Sequence, residues 1–213
     1  MLWQELQMYL RIKYKQNNLF LKPYTLKGES MKIHIIISTT RDGRSGEGVA
    51  NWAKSQIDKL GHEGIVVDLR DHEMPFLDTS VSPFGLNKKY PHKSVQKWSD
   101  LIDDAEAFLF VLAEYNHGYP AVLKNALDWL GAEWSDKPAA ILSHSAGHLG
   151  GARATEQLKL VLNGLGVIMA TLNVALGDVR STDGSDINEK AADQIPAVIK
   201  NLEKLLVVSK TQN

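Results

Sequence analysis

Residues 107–130 read AFLFVLAEYNHGYPAVLKNALDWL, and this stretch decides which fold the rest of the chain can adopt. The run from Phe108 to Leu112 is unbroken and apolar, which is typical of a strand buried on both faces. A six-residue loop rich in polar and aromatic residues follows, and then Pro120, which suits the first turn of a helix. Apolar residues next recur at helical spacing, at Leu123, Ala126, Leu127 and Leu130. The stretch predicts a loop at the carboxyl end of a central strand, where open α/β sheets bind ligands.

The composition is that of an ordinary globular domain, and it excludes several classes of protein. The 213 residues are 44% hydrophobic and 23% charged, and the net charge of −1 gives no electrostatic argument for nucleic acid as a partner. Cysteine is absent, which excludes disulfides, thiolate catalysis and zinc–cysteine sites and is compatible with a reducing compartment. No apolar run approaches the roughly 20 residues that span a bilayer. We therefore expect a cytoplasmic protein without nucleic-acid or membrane partners.

Residues 1–30 differ from the remainder of the chain. They are basic and aromatic, show no clean periodicity and contain no apolar segment of the kind found in secretory signals. We expect either an upstream start or leader ahead of Met31, or an arm that packs on a neighbouring subunit. Residues 31–213 show no linker that would divide them, and we expect them to form one domain.

Five strand–helix repeats are predicted within residues 31–213. The strands are expected at 32–38, 65–69, 108–112, 139–143 and 167–172, and the helices at 48–60, 93–104, 120–130, 152–162 and 187–207. Pro196 is expected to kink or restart the last helix. This order predicts an α/β fold, a three-layer sandwich in which a five-stranded parallel sheet has helices on both faces. The long, proline-rich segment 70–91 is predicted to be a lid.

Three loops should meet at the carboxyl edge of that sheet, at 38–46, 113–119 and 143–151. The first opens a helix, and its hydroxyl groups, backbone amides, Arg41 and Arg44 can bind an anion of monophosphate size. It lacks both the Walker sequence and GxGxxG. A polar turn with two solvated arginines explains the same residues. The second loop offers main-chain polar groups beside Tyr115 and His117 for a flat heterocycle. In the third, Gly147, Gly150 and Gly151 permit close approach of a ligand, and a helix entry that needs positive φ explains the same glycines.

Two other chemistries are suggested by residues 143–148, SHSAGH. The position of the serines between a strand and a helix resembles a degenerate nucleophile elbow, but a hydrolase of that type needs a histidine further along the chain, and His148 is the last one. His144 and His148 have the spacing of metal ligands on a helix, but they lie in a predicted loop and no third ligand is evident. We therefore expect no metal site and no catalytic dyad.

Three segments resemble the NAD(P)H-dependent FMN reductases of the flavodoxin-like superfamily, which include quinone, azo-dye and chromate reductases. Residues 38–44, STTRDGR, resemble the phosphate loop GSTRPGR, with Ser38 in place of the usual glycine. Residues 114–130 resemble PEYN-GYPAPLKNALDWL, although Ala113 replaces its initial proline. Residues 143–154, SHSAGHLGGARA, resemble the loop that covers the flavin. Together the three segments span most of residues 31–175.

The resemblance implies a flavodoxin-like fold with strand order 2-1-3-4-5 and an enzyme that passes hydride from NADPH or NADH to FMN and on to an acceptor. The acceptor would be a quinone, an azo compound, free flavin or a metal oxyanion, and the assembly a homodimer or homotetramer. A non-enzymatic electron carrier or redox sensor would use the same binding residues. The phosphate would be surrounded by Thr39, Arg41, Arg44, Ser45 and Gly46. The isoalloxazine ring would be bordered by Glu114, Tyr115, Asn116, His117 and Gly118. Its other side would be flanked by Ser143, Ser145, Ala146 and Gly147. Basic candidates for selecting NADPH are Arg41, Arg44 and Lys88.

Overall fold

The computed structural model describes residues 30–212. The predicted extension, apart from Ser30, lies outside the described residues, and its role as a leader or arm stays a prediction. Within the described part, no helix is both long enough and apolar enough to cross a membrane.

A parallel sheet forms the middle layer of the structure. The strands are β1 (Lys32–Ile37), β2 (Glu63–Asp68), β3 (Ala107–Ala113), β4 (Pro138–His144), β5 (Ile168–Met169) and β6 (Val174–Leu176). Five of them run in the order β2-β1-β3-β4-β5, and the short strand β6 also pairs with β4. The predicted fold class and strand order are therefore confirmed.

Helices cover both faces of this sheet. They are α1 (Gly46–Lys59), α2 (Lys93–Asp103), α3 (Ala121–Asp128), α4 (Ala152–Gly164), α5 (Glu189–Ala192) and α6 (Ile195–Gln212), with short 3₁₀ turns at Leu69–Asp71 and Pro83–Leu86. The last helical region is interrupted as predicted: α5 ends at Ala192 and α6 begins one residue before Pro196, whose missing N–H is tolerated in a first turn.

The central strand β3 explains why two hydrophobic cores form. Every residue of β3 is buried. Because side chains alternate along a strand, Leu109 and Val111 enter the core under α1 and α6, whereas Phe108 and Phe110 enter the core under α2, α3 and α4. Trp129 and Trp134 are fully buried and pack in the second core.

The fifth strand is the one element that was predicted wrongly. In place of a single strand over 167–172 there are two short strands, because the chain leaves the sheet between Met169 and Val174. The side chain of Asn173 occupies the gap, and its Oδ1 accepts a hydrogen bond from Ile141 N at 2.8 Å. This side-chain acceptor replaces the missing backbone acceptor, so β4 remains paired along the interruption.

Candidate functional site

The carboxyl ends of β1, β3 and β4 meet at one edge of the sheet, as their register requires. Ile37 pairs with Val111, and Ala113 pairs with His144. The loops that follow these strands enclose a cavity of about 640 Å³. Its lining comprises Thr39, Arg41, Gly43, Arg44, Ser45, Ala113, Glu114, Tyr115, Asn116, His144, Ser145, Ala146, Val179 and Arg180.

The tips of β1 and β3 are joined through Ser38, which is fully buried. Its backbone N–H donates to Val111 O at 3.1 Å, and its Oγ accepts a hydrogen bond from Ala113 N at 2.9 Å. Ser38, which stands where the related motif has glycine, thus satisfies the backbone amide of Ala113. That amide lies beyond the last residue pair of β1 and β3. This contact aligns the start of the first loop with the start of the second.

The N-terminus of α1 opens onto the cavity without a side-chain cap. Ser45 precedes the helix in a helical conformation and makes no capping hydrogen bond. Gly43 turns the loop with φ +64°, and no atom lies within 4 Å of the position that a Cβ would take there. The first amides of a helix point along its axis and carry partial positive charge, so this end of α1 is suited to an anion.

Two arginines of the first loop have different environments. Arg41 is exposed and forms no salt bridge with a carboxylate of the described residues. Arg44 is buried, and its Nη2 forms an ion pair with Asp68, while its Nε and Nη1 have no partner within residues 30–212. Arg70 supports the loop from outside by donating to the carbonyl oxygens of residues 40 and 41 at 3.2 and 3.1 Å. Two donor nitrogens of Arg44 are therefore left for an anion, since buried donors are rarely left without a hydrogen-bond partner.

The second loop is a tight turn rather than an irregular segment. Asn116 and His117 both have positive φ, at 50° and 69°, and Tyr115 and Gly118 exchange backbone hydrogen bonds at 2.8 and 3.0 Å. This is the pattern of a type I′ turn, whose two central positions favour asparagine and other residues that tolerate left-handed backbone. The Tyr115 hydroxyl is hydrogen-bonded to the Thr39 hydroxyl, so the turn is tied to the first loop.

Glu114 ties the second loop to the third. Its carboxylate, whose side chain is only 10% exposed, accepts hydrogen bonds from Arg153 N at 3.1 Å and Ala154 N at 3.2 Å. Arg153 Nη1 donates to the same carboxylate at 3.1 Å. Glu114 thereby caps the N-terminus of α4. Of the helices that follow the first and third loops, α4 is capped by the protein's own carboxylate, whereas α1 has no side-chain cap.

The third loop approaches β4 closely because it contains glycines. Gly150 and Gly151 have positive φ, and a Cβ at Gly151 would lie 2.9 Å from that of Ser143. Ser143 itself is buried within β4, and Ser145 Oγ donates to Gly147 O at 2.9 Å. The positive φ at the entry to α4 is therefore found, and close approach of a ligand to this loop stays a prediction.

Nine of the fourteen predicted site residues line the cavity. The other five, Gly46, His117, Gly118, Ser143 and Gly147, lie in the same loops or strand ends but not in the lining. Five lining residues were not predicted: Gly43, Ala113, His144, Val179 and Arg180. Arg180 follows β6 and donates from Nη2 to Ala146 O at 2.8 Å. No local pattern marks residues 179 and 180, because only the return of the chain along β4 brings them to this edge.

The geometry does not favour the two rival chemistries at 143–148. Ser143 and Ser145 form no hydrogen bond with a histidine of the described residues, so neither has a general base. The two histidines also have different environments. His144 is 5% exposed, whereas the His148 side chain is 92% exposed and its Nδ1 lies 2.7 Å from Asp178 Oδ2.

Comparison with known proteins identifies the group to which this fold and cavity belong. The family model for NADPH-dependent FMN reductase matches residues 31–179, which include all three loops and the strands that carry them. The chain belongs to this family. Membership makes it an FMN-dependent NAD(P)H oxidoreductase and confirms the family, enzyme class and cofactors predicted from the three segments.

Individual relatives agree with that assignment. An NAD(P)H-dependent FMN reductase of Saccharomyces cerevisiae is 35% identical over 63% of this chain and 75% of its own length. An NAD(P)H:quinone oxidoreductase of Solanum tuberosum is 32% identical over 62% of this chain and 66% of its own length. The solved structure of the flavoenzyme NAD(P)H:(acceptor) oxidoreductase FerB from Paracoccus denitrificans has a TM-score of 0.65 at 22% identity, over 84% of this chain and 98% of that chain. At that identity the structural likeness concerns the fold.

The residues of this family member fit FMN. The cavity volume lies within the range of sites for small ligands and cofactors. The uncapped end of α1 and the two unpartnered nitrogens of Arg44 suit a phosphate, and the turn at 115–118 borders the cavity with a tyrosine. FMN, when bound, would supply the hydride chemistry, so no acid, base or nucleophile is required of the protein.

Proposed function

We propose that this FMN reductase binds FMN in the cavity between its three loops and uses NAD(P)H to reduce a quinone-type or similar small acceptor. The observation that carries the proposal is the contrast between α1 and α4, the helices that follow the first and third loops. Glu114 caps α4, while α1 begins uncapped beside Arg41, which has no salt bridge to a described carboxylate. An anionic group of the ligand would accept hydrogen bonds from the free backbone amides at the start of α1.

Each loop has a separate proposed task. The first loop would hold the phosphate through Thr39, Arg41, Arg44, Ser45 and Gly46. The second would border the isoalloxazine ring with Glu114, Tyr115, Asn116, His117 and Gly118, and the third would flank its other side with Ser143, Ser145, Ala146 and Gly147. The backbone amides of the second loop are suited to stabilise the reduced, anionic ring, because amide donors favour negative charge. Glu114 would act through its hydrogen bonds to α4, which position both loops.

The acceptor is proposed from the shape of the site and from the relatives. A stacked ring with one open face can exchange substrates there, and flat oxidants such as quinones fit such a face. The potato relative is named a quinone oxidoreductase. Azo compounds, free flavin and metal oxyanions would be further acceptors, because each can accept electrons from the reduced flavin. A pure electron carrier would bind FMN through the same residues but would not sustain turnover.

Of the three basic residues considered for NADPH, one remains in a suitable position. Lys88 Nζ lies 2.6 Å from Asp103 Oδ1 and does not line the cavity, and Arg44 is paired with Asp68. Arg41 is exposed at the cavity, and Arg180 lines it from the segment after β6. We propose that Arg41 or Arg180 interacts with the phosphates of the nicotinamide nucleotide.

We further propose that the enzyme is a cytoplasmic homodimer or homotetramer. The predicted lid, residues 70–91, exposes two large apolar side chains: Phe76 is 83% exposed and Phe84 is 52% exposed. Two large exposed apolar side chains on one segment support burial of that segment in an interface. The lid is held on α3 by Asn125 and Trp129, whose side chains both donate to Pro75 O. The absence of cysteine is compatible with the cytoplasm.

The test is to purify the protein, titrate it with FMN and then supply NADPH or NADH anaerobically with a quinone. We expect FMN binding and sustained oxidation of the nicotinamide nucleotide. Arg41→Ala should weaken FMN binding, whereas Lys59→Ala, which removes an equal charge from the other end of α1, should leave it unchanged. Absence of FMN binding would refute the proposal, and binding without turnover would favour the electron carrier.

A further inference from the structure

His144 is a buried residue of the cavity lining to which the proposed function assigns no role. His144 ends β4, where it pairs with Ala113 of β3 and Leu176 of β6. It lines the cavity but is only 5% exposed. Its Nε2 is buried and has no hydrogen-bond partner among residues 30–212. Buried polar nitrogens are rarely left unpaired, so this atom indicates a ligand or another function.

The surroundings of Nε2 show which part of the cavity it faces. A Cβ built on Gly46, the first residue of α1, would lie 3.3 Å from His144 Nε2 and 3.7 Å from Thr39 Cγ2. Since Gly46 has no side chain, no side-chain atom of that residue separates the imidazole from the uncapped start of the helix. The unpaired nitrogen and the uncapped amides are thus two independent features that meet at one place, beside the first loop.

We propose that His144 is a further FMN-binding residue, whose Nε2–H donates a hydrogen bond to the phosphate end of the cofactor. This inference rests on the proposed function, because it assumes that FMN occupies the cavity. The phosphate end is favoured over the ring because Nε2 lies beside Gly46, at the start of α1, which is the helix end proposed to hold the phosphate. In this arrangement His144 completes a set of donors supplied by α1 and Arg44.

The charge state of the imidazole agrees with this role. Burial lowers the pKa of His144 to about 4, so the ring is neutral at pH 7 and carries one N–H. A neutral donor can satisfy a phosphate oxygen without requiring a buried positive charge when the site is empty. Arg41 and Arg44 would provide the positive charge.

The chain offers a matched control in His34. This histidine is fully buried in β1, and neither of its ring nitrogens has a hydrogen-bond partner among residues 30–212, although Nε2 lies 3.8 Å from Asp104 Oδ2. Burial lowers its pKa to about 4. It does not line the cavity. A change that merely removes a buried imidazole therefore affects both positions, whereas a change in phosphate binding affects His144 alone.

The experiment measures the Kd of FMN and of riboflavin, which lacks the phosphate, for the full-length protein and for His144→Phe, His144→Gln and His34→Phe. We expect His144→Phe to weaken FMN binding about 10- to 100-fold, the range of a lost hydrogen bond to a charged group, and to change riboflavin binding less than about threefold. His144→Gln should restore part of the loss by offering a side-chain amide, and His34→Phe should have no effect.

Each other outcome has a definite meaning. Unchanged FMN binding by both His144 variants would overturn the inference and leave the proposed function standing. An equal loss for FMN and riboflavin would overturn the assignment to the phosphate. If His144→Phe fails to fold, the FMN-to-riboflavin ratio of His144→Gln decides the question, since a phosphate contact predicts a changed ratio. Failure of the unaltered protein to bind FMN would overturn the proposed function as well.

Discussion

Replacing Glu114 tests whether one carboxylate holds two of the three loops together. Glu114 follows β3, and its side chain caps α4 by accepting from two backbone N–H groups at 3.1 and 3.2 Å. It also accepts from the side chain of Arg153 at 3.1 Å. Glu114→Ala removes all three contacts, Glu114→Gln keeps an acceptor without the charge, and Arg153→Ala removes only the side-chain contact.

The magnitude follows from these contacts. Loss of an N-cap costs about 1–2 kcal/mol, and loss of a negative charge at a helix N-terminus costs about 0.3–1 kcal/mol. The ion pair adds no more than a few tenths of a kcal/mol, at about the lower end of measured surface pairs, because the Arg153 side chain is 45% exposed. We expect Glu114→Ala to lower the free energy of unfolding by about 2–3 kcal/mol, Glu114→Gln by about 1 kcal/mol, and Arg153→Ala by less than about 0.5 kcal/mol.

The assay is urea unfolding of the FMN-free protein, because bound cofactor would mask the change by mass action. The midpoint should shift while the m-value stays constant, and the melting temperature of Glu114→Ala should fall by roughly 5–10 °C. If Arg153→Ala costs as much as Glu114→Ala, the carboxylate acts through the ion pair and not through the helix cap, and the reasoning is refuted.

Three further predictions concern other parts of the fold. Ser38→Gly removes the acceptor of Ala113 N and should lower the free energy of unfolding by about 1–2 kcal/mol, measured with urea; an unchanged midpoint would contradict the bridging role. Because burial lowers the pKa of His34 to about 4, the unfolded state binds more protons between about pH 4 and pH 6.5, so stability should rise with pH across that window, and His34→Phe should make the urea midpoint less dependent on pH. Asn125→Ala removes two hydrogen bonds to segment 71–91 and should speed limited proteolysis within that segment, whereas cleavage elsewhere should not change.

Much of the fold could be predicted because its signals are local. The apolar run in β3, the proline before α3 and the small residues before α4 each act on their own neighbours, and the strand order followed from family resemblance. The interruption between β5 and β6 could not be predicted, because it depends on Asn173 reaching a strand more than 30 residues away. Nothing near Asn173 in the sequence indicates that partner.

The same distinction applies to the candidate site. The sequence indicated the three loops because loops after parallel strands must meet at one edge, and the family resemblance supplied the nine predicted residues that line the cavity. It did not indicate that Arg44 turns to Asp68, that Glu114 caps a helix, or that His144 is left unpaired. Those outcomes depend on which side chains become neighbours after the sheet has formed. Periodicity and turn chemistry determine where strands, helices and loops lie, whereas burial and hydrogen bonding between distant residues decide which polar groups are satisfied and which remain for a ligand.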